Sequence, residues 1–162
     1  MTYEQLQAEQ AEWAAKRFGS ERGATAALAP LAGVVEELGE LSRALVVRKA
    51  NAVEDAIGDV VIYLCDVCTR MGWQMPETPL RGGRLDLDVI GRLSHSVLKS
   101  SQGIRQAEDH KGEGLAAVRE LLGGLDQLAN GWHIGDAIDC ATFVWENEVS
   151  KRDVGHAAIP QQ

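Results

Sequence analysis

Apolar residues recur along this chain at intervals of three and four, and strict alternation is scarce, a pattern of helices rather than strands. The spacing predicts a first helix over residues 2–18, ended at Gly19-Ser20, then a loop through Gly23. A second helix is expected to open near Pro30, because proline is tolerated in a first turn where its missing N–H leaves no bond unmade, and to run to Lys49. Asn51 reads as the N-cap of a third helix, with Glu54 three residues later at the favoured N3 position. That helix continues to Arg70 and stops at Gly72. Pro76, Pro79, Gly82 and Gly83 make residues 73–85 the clearest loop in the chain. Further helices are expected over 86–101, 114–129 and 134–151, the middle one ended by Asn130-Gly131. The tail, residues 154–162, is expected to fray. The expected fold is an all-α bundle of five to six helices, formed by a single domain over residues 1–153.

The second and third predicted helices carry the informative faces. At 100° per residue, Leu31, Val34, Leu38, Leu41 and Leu45 form one stripe of the second helix, and Glu37 and Glu40 sit together along its border. In the third, Val53, Ile57, Val60, Leu64 and Val67 form the stripe, while Asp55 and Asp59, four apart, share another face near Tyr63. From Ile57 to Cys68 this helix is apolar on nearly every side, which marks a buried helix. Yet it holds Asp59 and Asp66, and residues 53–69 contain no Lys or Arg. A buried carboxylate requires compensation. Either a basic side chain from another helix supplies it, or a divalent cation does, and an oxygen-only set favours a hard ion such as Mg²⁺ or Mn²⁺. A single pair of acids on a helix is ordinarily just a solvated face. Two such pairs on helices joined by a tight turn is a rarer conjunction. Gly39 and Gly58 add to it, since each lowers helix propensity by about 1 kcal/mol relative to alanine and so calls for a packing or site reason.

Composition narrows the functions. Of 162 residues, 24 are acidic and 16 are Lys or Arg, for a net charge of −8. A grip on a nucleic-acid backbone calls for the opposite sign or a dense basic stripe, and neither is visible. A phosphorylated ligand would need a metal ion to mediate its contact with bare carboxylates. No run of 18 uncharged apolar residues exists to span a membrane. The N-terminus, Met1-Thr2-Tyr3-Glu4-Gln5, has neither the basic nor the apolar segment of a secretory signal. Three cysteines, two of them (Cys65 and Cys68) one helical turn apart in an apolar helix, read as buried thiols in a reducing cytoplasm.

Val35-Glu36-Glu37-Leu38-Gly39-Glu40-Leu41, followed by Glu54-Asp55-Ala56-Ile57-Gly58-Asp59-Val60-Val61-Ile62-Tyr63-Leu64, resembles the MazG-like family of all-α NTP pyrophosphohydrolases. That family carries E-x-x-E and then E-x-x-D on two antiparallel helices. Glu37 and Glu40 match the first half, and Asp59 matches the final Asp. Trp13 through Gly19, Leu98 through Arg105, and Trp145 through Asp153 are similar to flanking segments of small phage and bacterial members, so the resemblance covers roughly residues 5–153. One position departs: where the family has an acid three before the Asp, this chain has Ala56, and Asp55, four before, is the residue able to take that role.

The resemblance implies a Mg²⁺- or Mn²⁺-dependent nucleotide pyrophosphohydrolase that converts a (d)NTP to the (d)NMP and diphosphate, leaning to a purine substrate such as dGTP or GTP. It implies two or more metal ions held by Glu37, Glu40, Asp55 and Asp59, with Glu36 as a further ligand or base. Lys99 and Arg105, then Arg48 and Lys49, are the implied phosphate contacts, and Trp13 and Tyr63 the implied stacking platforms for the base. A homo-oligomer, dimer or tetramer, in the cytoplasm of a bacterium or phage-infected host is implied as well, with no nucleic-acid polymer and no membrane as partner. Two rivals stand beside this reading. A di-iron carboxylate bundle needs Glu-x-x-His pairs, and His95, His110, His133 and His156 are scattered with none three after a Glu. The other is a non-catalytic helical metal-binding or interaction module, a degenerate homologue, to which the Ala56 departure lends weight.

Overall fold

The computed structural model describes residues 1–100 and 104–151, with backbone alone over 104–109. Among them there are six α-helices and no strand. The first, α1, spans Tyr3–Phe18. Thr2 caps it reciprocally: its hydroxyl accepts from the Gln5 backbone N–H at 3.2 Å, and its own N–H donates to the Gln5 side chain at 2.9 Å. Gly19, at φ 86°, ends it.

The second helix, α2, spans Ala24–Val47 and so opens six residues before Pro30, which lies inside it. The correction follows from composition. Residues 24–29, Ala-Thr-Ala-Ala-Leu-Ala, are strong helix formers apart from the threonine, and Pro30 forfeits only its own bond to Ala26 while burying its ring. Arg48, in the left-handed conformation at φ 53°, closes α2, and its partner α3 begins almost at once, spanning Ala50–Met71. Lys49, not Asn51, is the N-cap, and it makes no side-chain bond. With only Arg48 and Lys49 between the helices, the chain re-enters helix too early for Asn51 to cap it.

Asp86 caps α4 (Leu87–Lys99) by accepting from the Val89 N–H at 3.0 Å. Helix α5 spans Ile104–Gly131, starting ten residues before the expected Gly114. Gly114 is no helix start; a Cβ there would run into the ring of Trp73, so the glycine lets the loop after α3 lie flat on α5. A second capping box, Asp136 with Asp139, opens α6 at Ala137–Val144, and a single π-helical turn follows over Trp145–Val149. Residues 154–162 lie outside the described residues.

Helix α3 is the axis of the bundle. It packs along α2 on one side and against α6, α1 and α5 on others, while α4 and α5 pair with each other. Every residue of its predicted stripe is fully buried, and so are Val61, Cys65 and Cys68. Gly58 makes the α3–α6 approach possible, since a Cβ there would stand 2.6 Å from Val144 and 2.8 Å from the Cys140 carbonyl. The cation for Asp66 comes from its own helix, one turn on. Arg70, 7% exposed, donates from Nε to Asp66 at 3.1 Å and from Nη1 to the Gly19 and Glu21 carbonyls at 2.9 and 3.0 Å. A buried guanidinium with three hydrogen bonds from Nε and Nη1 thus ties the α1–α2 loop to the axis helix.

Candidate functional site

Two helices joined by two residues must run antiparallel, and the contact of the Tyr63 ring with Gly33 sets their register. Counting along both from that contact brings Glu37 opposite Asp59, and Glu40 opposite the Asp55–Ala56 level. The groove between α2 and α3 therefore gathers acids from both. Glu37 is half-buried there, and its carboxyl is pushed up to about 7, first by burial and then by the charges of Asp59, Glu40, Glu36 and Asp55 in that order. Four carboxylates thus act on a fifth. Asp55 and Asp59 are themselves half-buried, while Glu36 and Glu40 lie exposed at the rim.

The departure at position 56 has a structural counterpart. Ala56 is 5% exposed and faces the core, so an acid there would be buried. Asp55 faces the groove. Glu54 lies on the other side, where its charge acts on Cys140 of α6 rather than on Glu37. Gly39, between Glu37 and Glu40, has open space above it. Among the described residues it accommodates no neighbour, unlike Gly58.

The acids share a groove without sharing a focal point. Among the described residues no three His, Cys, Asp or Glu side chains converge as a ready-made ligand set. Glu40 instead accepts from Arg43 at 3.1 Å, across the surface of α2. Arg43 was not among the expected site residues, although its place three after Glu40 and seven after Glu36 was a readable signal. The donors still suit a hard divalent cation. All are carboxylate oxygens, and the repulsion that raises Glu37 is what such a cation would relieve.

The other expected residues are placed as follows. Arg48 and Lys49 are exposed at the hairpin tip, Arg48 about 12 Å along the axis from Glu40 at 1.5 Å per residue. Lys99 is half-buried at the end of α4. Arg105 is in the first turn of α5, and its side chain lies outside the described residues. Tyr63 is half-buried one turn beyond Asp59, packed on Gly33. Trp13 belongs to a different neighbourhood, an aromatic cluster with Phe18 and Trp145 at centroid distances of 5.7 and 6.0 Å. The Arg17 guanidinium stands 5.3 Å from the Trp13 ring, and the Trp145 indole donates to Glu9 at 2.8 Å.

Two recesses elsewhere compete poorly as ligand sites. One beside Arg70, about 100 Å³, is too small for a nucleotide. A larger open groove between α4 and α5 includes Arg92, but that cation is already held by Asp88 and Glu120. Comparison of the chain with protein-family models, curated proteins and solved structures finds no match in any of the three.

Proposed function

We propose that this chain is a divalent-metal-dependent nucleoside triphosphate pyrophosphohydrolase working in the α2–α3 groove. The observation that carries the reading is the half-buried Glu37 carboxyl surrounded by Glu36, Glu40, Asp55 and Asp59. Glu37, Glu40, Asp55 and Asp59 would hold Mg²⁺ or Mn²⁺, with two or more ions per site as the proposed complement. When bound, the metal neutralises the triphosphate and makes water acidic enough to react at neutral pH.

The protein's own groups do the rest. Glu37 and Asp59, on facing helices, would hold the cation from both sides of the groove, which fixes where the triphosphate can lie. Glu40 exchanges Arg43 for the ligand, and Glu36 at the open rim accepts the proton of the attacking water. Water oxygen bonds to the α-phosphorus, the α–β bridging P–O bond breaks, and diphosphate leaves in line with the attack. Lys99 and Arg105 spread the charge of the leaving phosphates, and Tyr63 offers a face for the base, with a purine such as that of dGTP or GTP as the proposed substrate.

A panel of NTPs and dNTPs with Mg²⁺ or Mn²⁺, read for monophosphate and diphosphate together, tests the proposal. The expected result is equimolar release of both, reduced by on the order of a hundredfold or more in Asp59→Asn, with the helical circular dichroism unchanged. Orthophosphate as the first product, or an Asp59→Asn variant as active as the parent chain, would falsify the assignment.

A further inference from the structure

The α4–α5 groove is a poor place for a phosphate, but it gathers side chains of another kind. His95 of α4 and Glu113 of α5 both line it. His110, one turn before Glu113 on α5, meets the His95 ring edge to face, the centroids 5.6 Å apart and the planes at 76°. Its Nδ1 stands 3.6 Å from the Glu113 carboxylate. That gap is too long for a hydrogen bond. It is close to the spacing of two ligands around one ion, since bonds of about 2.0–2.2 Å to nitrogen and oxygen put tetrahedral ligands roughly 3.3 Å apart. The same Nδ1 is buried and has no hydrogen-bond partner among the described residues. A buried polar atom in that state calls for a partner from outside the chain.

We propose that His95, His110 and Glu113 bind a divalent cation of the zinc class, which clamps α4 to α5. Two imidazoles and one carboxylate suit Zn²⁺ and its neighbours in the first transition row, whereas the all-oxygen α2–α3 groove suits Mg²⁺ or Mn²⁺. As the side chains lie, the three do not meet at one point. His95 and Glu113 are exposed, and His110 is half-buried between them and the core. Gly91 and Gly112 have nothing within 4 Å of where a Cβ would stand, so His95 and Glu113 have room to turn towards His110 without disturbing the packing. The nearest guanidinium does not compete for Glu113: Arg92, one turn before His95, is paired with Asp88 and Glu120. Thiolates are stronger ligands for Zn²⁺, but Cys65, Cys68 and Cys140 are enclosed in the core of the folded chain. The site shares no residue with the acidic groove, so its failure leaves the catalytic reading untouched.

Calorimetric titration with Zn²⁺ tests it, in excess Mg²⁺ and on the full-length Asp59→Asn chain, where the acidic groove is weakened as a rival site. The expected result is one Zn²⁺ bound per chain, with a raised melting temperature. His95→Gln and Glu113→Gln, both at exposed positions, should each weaken that binding about tenfold or more in the same background while the helical spectrum is kept. His133→Gln, at an exposed histidine outside the groove, should leave it unchanged. Co²⁺ in place of Zn²⁺ should give visible absorption bands that the first two variants lose. Absence of Zn²⁺ binding overturns the proposal, and water then satisfies the His110 Nδ1. Binding that survives either His95→Gln or Glu113→Gln overturns it as well, since the ion then sits elsewhere.

Discussion

At residue scale, neighbouring side chains of one type take opposite roles because a helix turns 100° between them. Glu54 and Asp55 are adjacent acids, yet one acts on Cys140 and the other on Glu37. Asp55→Asn is therefore expected to raise the Mn²⁺ required for half-maximal rate by about tenfold or more, and Glu54→Gln to leave it nearly unchanged. Metal titrations of the two variants side by side decide the matter; the reverse order would mean that the groove face of α3 has been misassigned. Glu37 supplies a second expectation. In the metal-free fold its carboxyl sits at about 7 against an ordinary 4.5, so between those values the folded chain holds a proton that the unfolded chain has lost. Stability from this group is greatest below about 4.5, declines as pH rises through the window and is gone above 7. Glu37→Gln should flatten that part of the melting-temperature profile and melt higher than the parent at pH 8 without metal. A parent profile that rises through the window with the same slope as the variant would remove the crowding argument.

At the scale of elements, the fit between helices depends on positions where a side chain is missing. Gly58→Ala places a methyl against Val144 and a backbone carbonyl that has no room to move, and is expected to destabilise by about 1–3 kcal/mol. Chemical denaturation of the variant checks it; an unchanged midpoint would show that α6 does not press on α3 at that level. The helices themselves were largely readable in the residues, and so was the pairing of Glu37 with Glu40 and of Asp55 with Asp59 along single faces. The starts of helices were less readable, for local reasons. Pro30 looks like a first-turn residue until the alanines before it are weighed, and Gly114 looks like a boundary until Trp73 is seen lying on it. Asn51 has the chemistry of a cap but not the position, because a two-residue turn leaves no time for one. The ion pair of Glu40 with Arg43 was legible from spacing, whereas the placement of Trp13 with Trp145 depends on how distant segments pack and leaves no local trace.

For the molecule as a whole, a groove crowded with like charge makes the fold responsive to what binds there. Mg²⁺ or Mn²⁺ should raise the melting temperature, and a non-hydrolysable purine triphosphate added with metal should raise it further, whereas the nucleotide alone should do little. The Asp59→Asn chain should lose most of both increments. Equal stabilisation by nucleotide with and without metal would point to a phosphate site built from basic residues.

The three cysteines make the bundle's rare openings countable. Cys65 and Cys68 are on the axis helix and Cys140 on the helix pressed against it, all fully enclosed. Burial pushes the Cys68 and Cys140 thiols up to about 12 and Cys65 upward too, so none of them is a nucleophile while the fold is closed. An aromatic disulfide reagent can therefore react only during excursions that separate α3 from its neighbours, and its colour becomes a clock for those events. Because the same α3 carries Asp55 and Asp59, anything that clamps the acidic groove should slow that clock, whether or not it is ever turned over.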